Sequence, residues 1–178
     1  MTEIEIRRVL PSDLPVLLNI YNHYVVHTPI TFDIEPKTLE QRQQWLDGFA
    51  ATGRYQCFVA VKGGKAIGWA GSLRYRDRAA YDTSVETSVY VAPAQQRQGV
   101  GRRLYAALFE ALKTEDVHRA YGGITQPNDA SNGLHAAMGF ERVGYLPEIG
   151  RKFGRFWDVA IYLRPLAQGP SGPQKPLL

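Results

Sequence analysis

At 178 residues, 44% of them hydrophobic, the chain is long enough to bury one substantial core and too short for two. Its 21 basic and 17 acidic residues leave a formal charge of +4, gathered in short clusters such as Arg74-Arg76-Arg78 and Arg151-Lys152-Arg155 rather than in the broad stripe a nucleic acid needs. A single cysteine, Cys57, excludes an internal disulfide, and no apolar run suits a signal peptide or membrane span, so a soluble, cytoplasmic protein is expected.

Ile4, Ile6 and Val9 alternate with charge and predict a first strand ending near Pro11. Ser12 or Asp13 can cap a helix from about Leu14, with Leu17, Leu18, Tyr21 and Val25 on its apolar side. His23 and His27 have a metal-ligand spacing on it, but no third ligand is near, so no metal is expected. After the loop from Thr28 to Asp33, Thr38-Leu39-Glu40-Gln41 is a capping box opening a second helix to about Phe49, with Trp45 on its buried side. Tyr55 to Val61 and Ala66 to Tyr75 are predicted strands joined by the hairpin signal Lys62-Gly63-Gly64-Lys65. A polar loop, Arg76 to Asp82, leads to a central strand in which Val85, Val89 and Val91 alternate with Glu86, Ser88 and Tyr90. Pro93 stops that strand.

Val100, Leu104, Ala107, Leu108, Ala111 and Leu112 form a clear helical stripe. Arg119 to Thr125 is a further strand. Asn128 or Asp129 caps a helix carrying Leu134, Ala137 and Met138, which Gly139 ends. Phe140 to Leu146 and Phe156 to Leu163 close the domain, residues 1–164. Residues 165–178, rich in proline and glycine, are expected to be a disordered tail. The order of elements predicts a single-domain α/β fold, a mixed sheet flanked by helices.

Between the central strand and its helix lies Gln96-Arg97-Gln98-Gly99-Val100-Gly101. Glycines there let backbone amides from Arg97 to Arg102 approach a ligand, and the helix N-terminus adds positive partial charge, as in a phosphate cradle. A dinucleotide fingerprint would need glycine where Leu104 stands, and a P-loop would need Lys-Ser/Thr where Arg102 and Arg103 stand. A plain glycine turn is the remaining alternative.

Glu86, on the strand entering the cradle, can accept a proton if partly desolvated, or can simply pair with an arginine. Arg74, Arg76 and Arg78 lie at period two beside Tyr81. They form either a guanidinium fork for carboxylate or phosphinate oxygens or a solvated loop. His135 titrates near neutrality and is either a proton carrier or a hydrogen-bonded helix histidine.

The Gln/Arg-x-x-Gly-x-Gly loop after a valine-rich strand resembles the pyrophosphate loop of the GNAT superfamily of acetyl-CoA-dependent N-acyltransferases. With Asn128 to His135, Ala136 to Phe140, Val85 to Val91 and Lys152 to Arg155, residues 4–164 resemble its phosphinothricin/methionine sulfone (sulfoximine) N-acetyltransferase branch. The resemblance implies a GNAT-like, mostly antiparallel sheet and acetyl-CoA as co-substrate. The cofactor would be held by Val89, Tyr90, Val91, Arg97, Gln98, Gly99, Val100, Gly101, Arg102, Asn128 and Ser131, its adenosine phosphate near Arg102 or Arg103. A backbone amide at Tyr90 or Val91 would face the acetyl oxygen.

By the same resemblance Glu86 and His135 are catalytic, His135 standing where many relatives have tyrosine. Phe32, Arg76, Arg78, Tyr81 and Thr125, with Arg74, surround an amino-acid-like substrate, and Tyr90 and Val159 reach in from the second subunit of a homodimer. Asp33 departs from the basic residue of herbicide-detoxifying members and weighs against phosphinothricin relative to methionine sulfone or sulfoximine. The rival readings are a protein N-terminal acetyltransferase, for which the bulky Arg74–Tyr81 segment closes the pocket too far, and a non-catalytic acyl-CoA-binding module. Neither a nucleic acid nor a membrane is an expected partner.

Overall fold

The alternation at Ile4 and Ile6 does make an edge strand, β1 (Ile4–Arg8), and the computed structural model describes residues 3–167. β1 pairs antiparallel with β2 (Cys57–Lys62), and β2 with β3 (Lys65–Arg74) across the Gly63-Gly64 turn. Both glycines are left-handed, with φ of 57° and 77°, as a two-residue hairpin turn requires. β3 pairs antiparallel with β4 (Ser84–Val91), whereas β4 and β5 (Arg119–Gln126) are parallel, connected through α3 (Val100–Leu112). β5 pairs with β7 (Arg155–Pro165), and β7 with β6 (Glu141–Lys152), so the strand order is β1-β2-β3-β4-β5-β7-β6. The mixed, mostly antiparallel sheet is the expected one.

Strand alternation sends neighbouring residues to opposite faces, and two cores result. Val59 joins Leu17, Ile20 and Tyr24 of α1 (Leu14–His27), while Ala60, one residue on, joins Leu104, Leu108 and Leu112 of α3. Val100, Leu104, Leu108 and Leu112 of the α3 stripe are 2% exposed or less, Ala107 and Ala111 are half-buried, and Tyr105 and Phe109, which the sequence periodicity left out, are as deeply buried as the leucines. Burying each such side chain contributes roughly 1.5–3 kcal/mol. α2 (Leu39–Asp47) packs beside α1 on the first face, and α4 (Asp129–Ala137) follows β5.

Several boundaries moved. α2 ends at Asp47, not Phe49, because Gly48 caps it and donates to Trp45 O. β6 and β7 run well past their predicted ends, since Pro147, Gly150 and Gly154 break the alternation without breaking the hairpin. Pro165 still pairs with Arg119, and Leu166 N–H donates to His118 O at 3.1 Å, so regular structure passes the expected start of the tail. Residues 168–178 of that tail lie outside the described residues. Cys57 is buried, and desolvation lifts its thiol to about 12. Among the described residues no helix is long and apolar enough to cross a membrane.

Candidate active site

The parallel β4–β5 ladder stops at Glu86↔Tyr121, although β4 continues to Val91 and β5 to Gln126. The strands splay, and a small cavity of about 50 Å³ opens between them, bordered by Thr87, Ser88, Tyr105, Thr125 and His135. It shares Ile30, Val89, Tyr90, Asn128 and Ser131 with a groove of about 600 Å³ that runs out past Val91 to Arg97, Gly99, Val100, Gly101 and Arg102. Most residues expected to hold a cofactor therefore line one continuous channel. Gln98 does not: its side chain accepts from Lys62 Nζ at 3.2 Å.

The channel's loop is built by two left-handed residues, Arg97 at φ 60° and Gly99 at φ 74°, with α3 starting at Val100. Gly99 is there for its backbone, since a Cβ on it would meet nothing within 4 Å. At Gly101 the reason is packing: a Cβ would sit 3.0 Å from Leu134 Cδ2 of α4. The loop is pinned to β4 by Gln96 Nε2, which donates to the Tyr24 hydroxyl at 2.8 Å, while that hydroxyl donates to Val91 O at 2.5 Å. Arg102 borders the groove, but Arg103 turns away to donate to Ile4 O. An elongated groove with an open helix N-terminus at one end and a small, partly polar cavity at the other fits a pyrophosphate and a thioester arm.

β4 divides the candidate chemistry between its faces. Val85, Val89 and Val91 point to α3, so Glu86, Ser88 and Tyr90 point to the α1–α2 side. The Tyr90 ring is stacked on Trp69 at 5.0 Å and meets Tyr21 and Tyr24 edge-on, all in its own chain. The Glu86 carboxyl has no hydrogen-bond or ion-pair partner among the described residues. It reaches solvent, yet protein crowds it enough that desolvation alone raises its pKa. The alternative reading, Glu86 paired with an arginine, finds no such pair among the described residues.

His135 lies on the other face, 3% exposed, among Tyr105, Phe140 and Tyr162. Its Nδ1 is 2.8 Å from Ser131 O and its Nε2 3.2 Å from the Tyr105 hydroxyl. This arrangement assigns the proton to Nδ1, donating to the carbonyl, with Nε2 accepting from the phenol. Desolvation lowers the imidazole pKa against the weaker opposing effect of the Ser131 bond, so His135 is a neutral group near pH 7. The Tyr105 phenol, which the sequence did not single out, is itself pushed up by burial.

The expected substrate residues are only partly gathered. Thr125 is buried and borders the splay cavity. Arg74, at the end of β3, and Arg76, Arg78 and Tyr81, on the β3–β4 loop, lie exposed and border neither the splay cavity nor the groove. Arg74 lies 3.8 Å from Asp82, Arg76 stands over the Tyr75 and Tyr81 rings, and Tyr75 stacks on Tyr121. Phe32 covers Gly150 of β6 so tightly that a Cβ there would fall 2.2 Å from its ring. Asp33 is engaged, at 3.0 Å from Lys37 Nζ and accepting from Tyr21 at 2.6 Å.

Comparison with known proteins gives the family. Residues 17–140 match the acetyltransferase (GNAT) family. The chain is 53% identical to a phosphinothricin N-acetyltransferase of Streptomyces coelicolor, over 92% of this chain and 97% of that one. It is 35% identical to an L-methionine sulfoximine/L-methionine sulfone acetyltransferase of Pseudomonas paraeruginosa, over 91% and 94%. A phosphinothricin acetyltransferase of Sinorhizobium meliloti, solved in complex with acetyl-CoA, superposes with a TM-score of 0.89 at 28% identity, covering 99% of this chain and 96% of that one.

Proposed function

The chain belongs to the acetyltransferase (GNAT) family, and we propose that it transfers the acetyl group of acetyl-CoA to the α-amine of a small amino-acid-like substrate of the methionine sulfone, methionine sulfoximine or phosphinothricin type. It is an N-acetyltransferase that uses acetyl-CoA. The observation that carries the residue-level reading is Glu86, a carboxyl without a partner at the last β4–β5 ladder pair, where the strands splay; it reaches solvent, and the surrounding protein still raises its pKa.

When bound, acetyl-CoA supplies an acyl carbon activated as a thioester. The amine must reach it unprotonated, and Glu86 takes the ammonium proton, directly or through a water. The edge of β4 beyond Glu86 has no β5 ladder partner, which leaves backbone groups near Tyr90 and Val91 to face the acetyl oxygen. Asn128 and Ser131 hold the arm of the cofactor, and amides from Arg97 to Arg102 hold its pyrophosphate. His135, neutral and bonded on both nitrogens, is a positioning residue in this reading: it orients the Tyr105 hydroxyl along the cavity wall.

Asp33 does not select among the three compounds, because Lys37 and Tyr21 already neutralise and bind it. The protein works as a cytoplasmic homodimer. Supporting the dimer, the β6–β7 hairpin exposes Val143, Ile149, Phe153 and Phe156 at 52%, 58%, 55% and 56%, an apolar row that a second copy would cover.

Release of free CoA thiol, followed with methionine sulfone, methionine sulfoximine, phosphinothricin, a polyamine and an N-terminal peptide, tests the reading. The first three are expected to turn over best. Preference for the peptide would make it a protein N-terminal acetyltransferase, and absence of turnover with every amine would make it an acyl-CoA-binding module.

A further inference from the structure

The α1–α2 side of β4 holds another cavity, of about 290 Å³, walled by Tyr21, Trp45, Trp69 and Tyr90 and reaching Ser88. One wall is Arg42 of α2, 4% exposed. Its guanidinium carbon lies 3.3 Å from the Trp45 ring centre, 4.6 Å from that of Trp69 and 5.0 Å from that of Tyr21. Aromatic faces attract the cation but accept none of its in-plane N–H groups well, and Nε and Nη2 have no hydrogen-bond partner. Desolvation draws the guanidinium pKa down to about 10. The other charges on this cavity, Asp33 and Lys37, are paired with each other at 3.0 Å. Arg42 is therefore the uncompensated charge, a single buried cation.

Buried donors are almost always satisfied, and a buried charge without a partner is costly. Nε–H and Nη2–H are the two donors that point side by side along one edge of a guanidinium, the edge that meets both oxygens of a carboxylate. The cavity shares Ser88 and Tyr90 with the splay cavity where the cofactor groove ends. In an α-amino acid only the α-carbon separates carboxylate from amine, so a carboxylate held from this side keeps the amine close to β4.

We propose that Arg42 is the carboxylate-binding residue for the amino-acid substrate, an assignment that rests on the function proposed above and moves this role away from Arg74, Arg76 and Arg78. The exposed loop arginines are then left for the oxygen-rich end of the side chain. The Arg42 subsite takes one monoanionic carboxylate and rejects its neutral derivatives.

The test compares methionine sulfone with its α-carboxamide, in the wild type and in Arg42→Met, an unbranched, uncharged replacement. The wild type should favour the acid, and Arg42→Met should lower kcat/KM on the acid by ~10²-fold while changing the carboxamide far less, which collapses the preference. Arg42→Lys should recover only part of it, because an ammonium lacks the paired edge. Independently of turnover, methionine sulfone should shift the tryptophan emission of the wild type through Trp45 and Trp69, and the carboxamide should not. The assignment is overturned if the acid preference survives Arg42→Met, or if wild-type emission does not distinguish acid from carboxamide; the emission arm decides should the variant fail to fold. Wild-type enzyme that acetylates neither compound, while acetylating another amine, overturns the substrate class as well as Arg42.

Discussion

The two faces of β4 keep their polar groups in opposite states. Towards α3 and α4, the Thr87 hydroxyl donates to Tyr121 O at 3.2 Å, Tyr105 to His135, and His135 to Ser131 O, so each buried group has a partner. Towards α1 and α2, Glu86 has no partner among the described residues, and Arg42 has two donors without a partner among aromatic rings. A satisfied network of this kind orders the core. A buried donor without a partner, as on Arg42, raises the energy of the folded chain until a ligand meets it, whereas Glu86 reaches solvent and is marked by its raised pKa; unpaired and perturbed groups mark sites. The comparison assigns chemistry to the face towards α1 and α2 and architecture to the face towards α3 and α4.

Glu86→Gln is the strongest test of that division. It should lower kcat by ~10²–10⁴-fold while leaving the acetyl-CoA dissociation constant within a few-fold, read by calorimetry. The wild-type pH–rate profile should carry an acidic limb above the ordinary glutamate value of 4.5, since desolvation raises this carboxyl, and the variant should lack it. An unchanged profile and kcat would make Glu86 structural and dissolve the contrast between the faces.

The loop serves both faces and is the next largest effect. Gly99→Val forces a branched residue into φ 74°, and Gly101→Val drives a side chain into Leu134. The double variant should weaken acetyl-CoA binding by more than about 10-fold, for a cost on the order of 1–3 kcal/mol at the strained position. Unaltered affinity in a folded variant would remove the cradle from the mechanism.

His135→Ala should show the opposite signature to Glu86→Gln. A loss of about 2–4 kcal/mol in stability is expected from the cavity and from the unpaired Ser131 carbonyl and Tyr105 hydroxyl, with a smaller fall in kcat and an unmoved acidic limb. A fall in kcat as large as that of Glu86→Gln, with the limb moved, would return His135 to the chemistry.

Stability against pH separates the faces again. The lowered imidazole pKa means that the unfolded chain binds the proton more readily, so the stability due to His135 is present above about pH 6.5 and declines as pH falls below it. Glu86, with a raised pKa, acts in reverse: its contribution is present below about 4.5 and is lost as pH rises through the folded value. Chemical denaturation across pH, wild type against each single variant, should give difference curves of opposite slope. The smallest effect is Gly150→Ala, which displaces the Phe32 ring and should raise substrate KM a few-fold without altering acetyl-CoA affinity.

Much of this was legible in the residues themselves. Valine alternation from Val85 to Val91, the Gly99 and Gly101 spacing and the stripe from Val100 to Leu112 are local patterns, and local backbone preference with one-face burial is enough to determine β4, the cradle and α3. Asn128 as a helix cap followed from the same short-range logic, and its side chain does accept from Ser131 N–H at 3.1 Å. Arg42 left a trace as well, three and four residues before Trp45 and Leu46 on the buried stripe of α2, but an arginine on such a stripe reads as a charge at the edge of the core.

Which face of β4 each group would occupy, and whether it would find a partner there, was decided only by the tertiary structure. Arg74, Arg76 and Arg78 look like a binding fork because they lie close in sequence, yet they fall exposed at the end of β3 and on the loop after it, while Arg42 and Glu86, 44 positions apart, reach the same side of β4. Desolvation and pairing depend on what packs around a group from elements distant in the chain, and no local pattern carries that information.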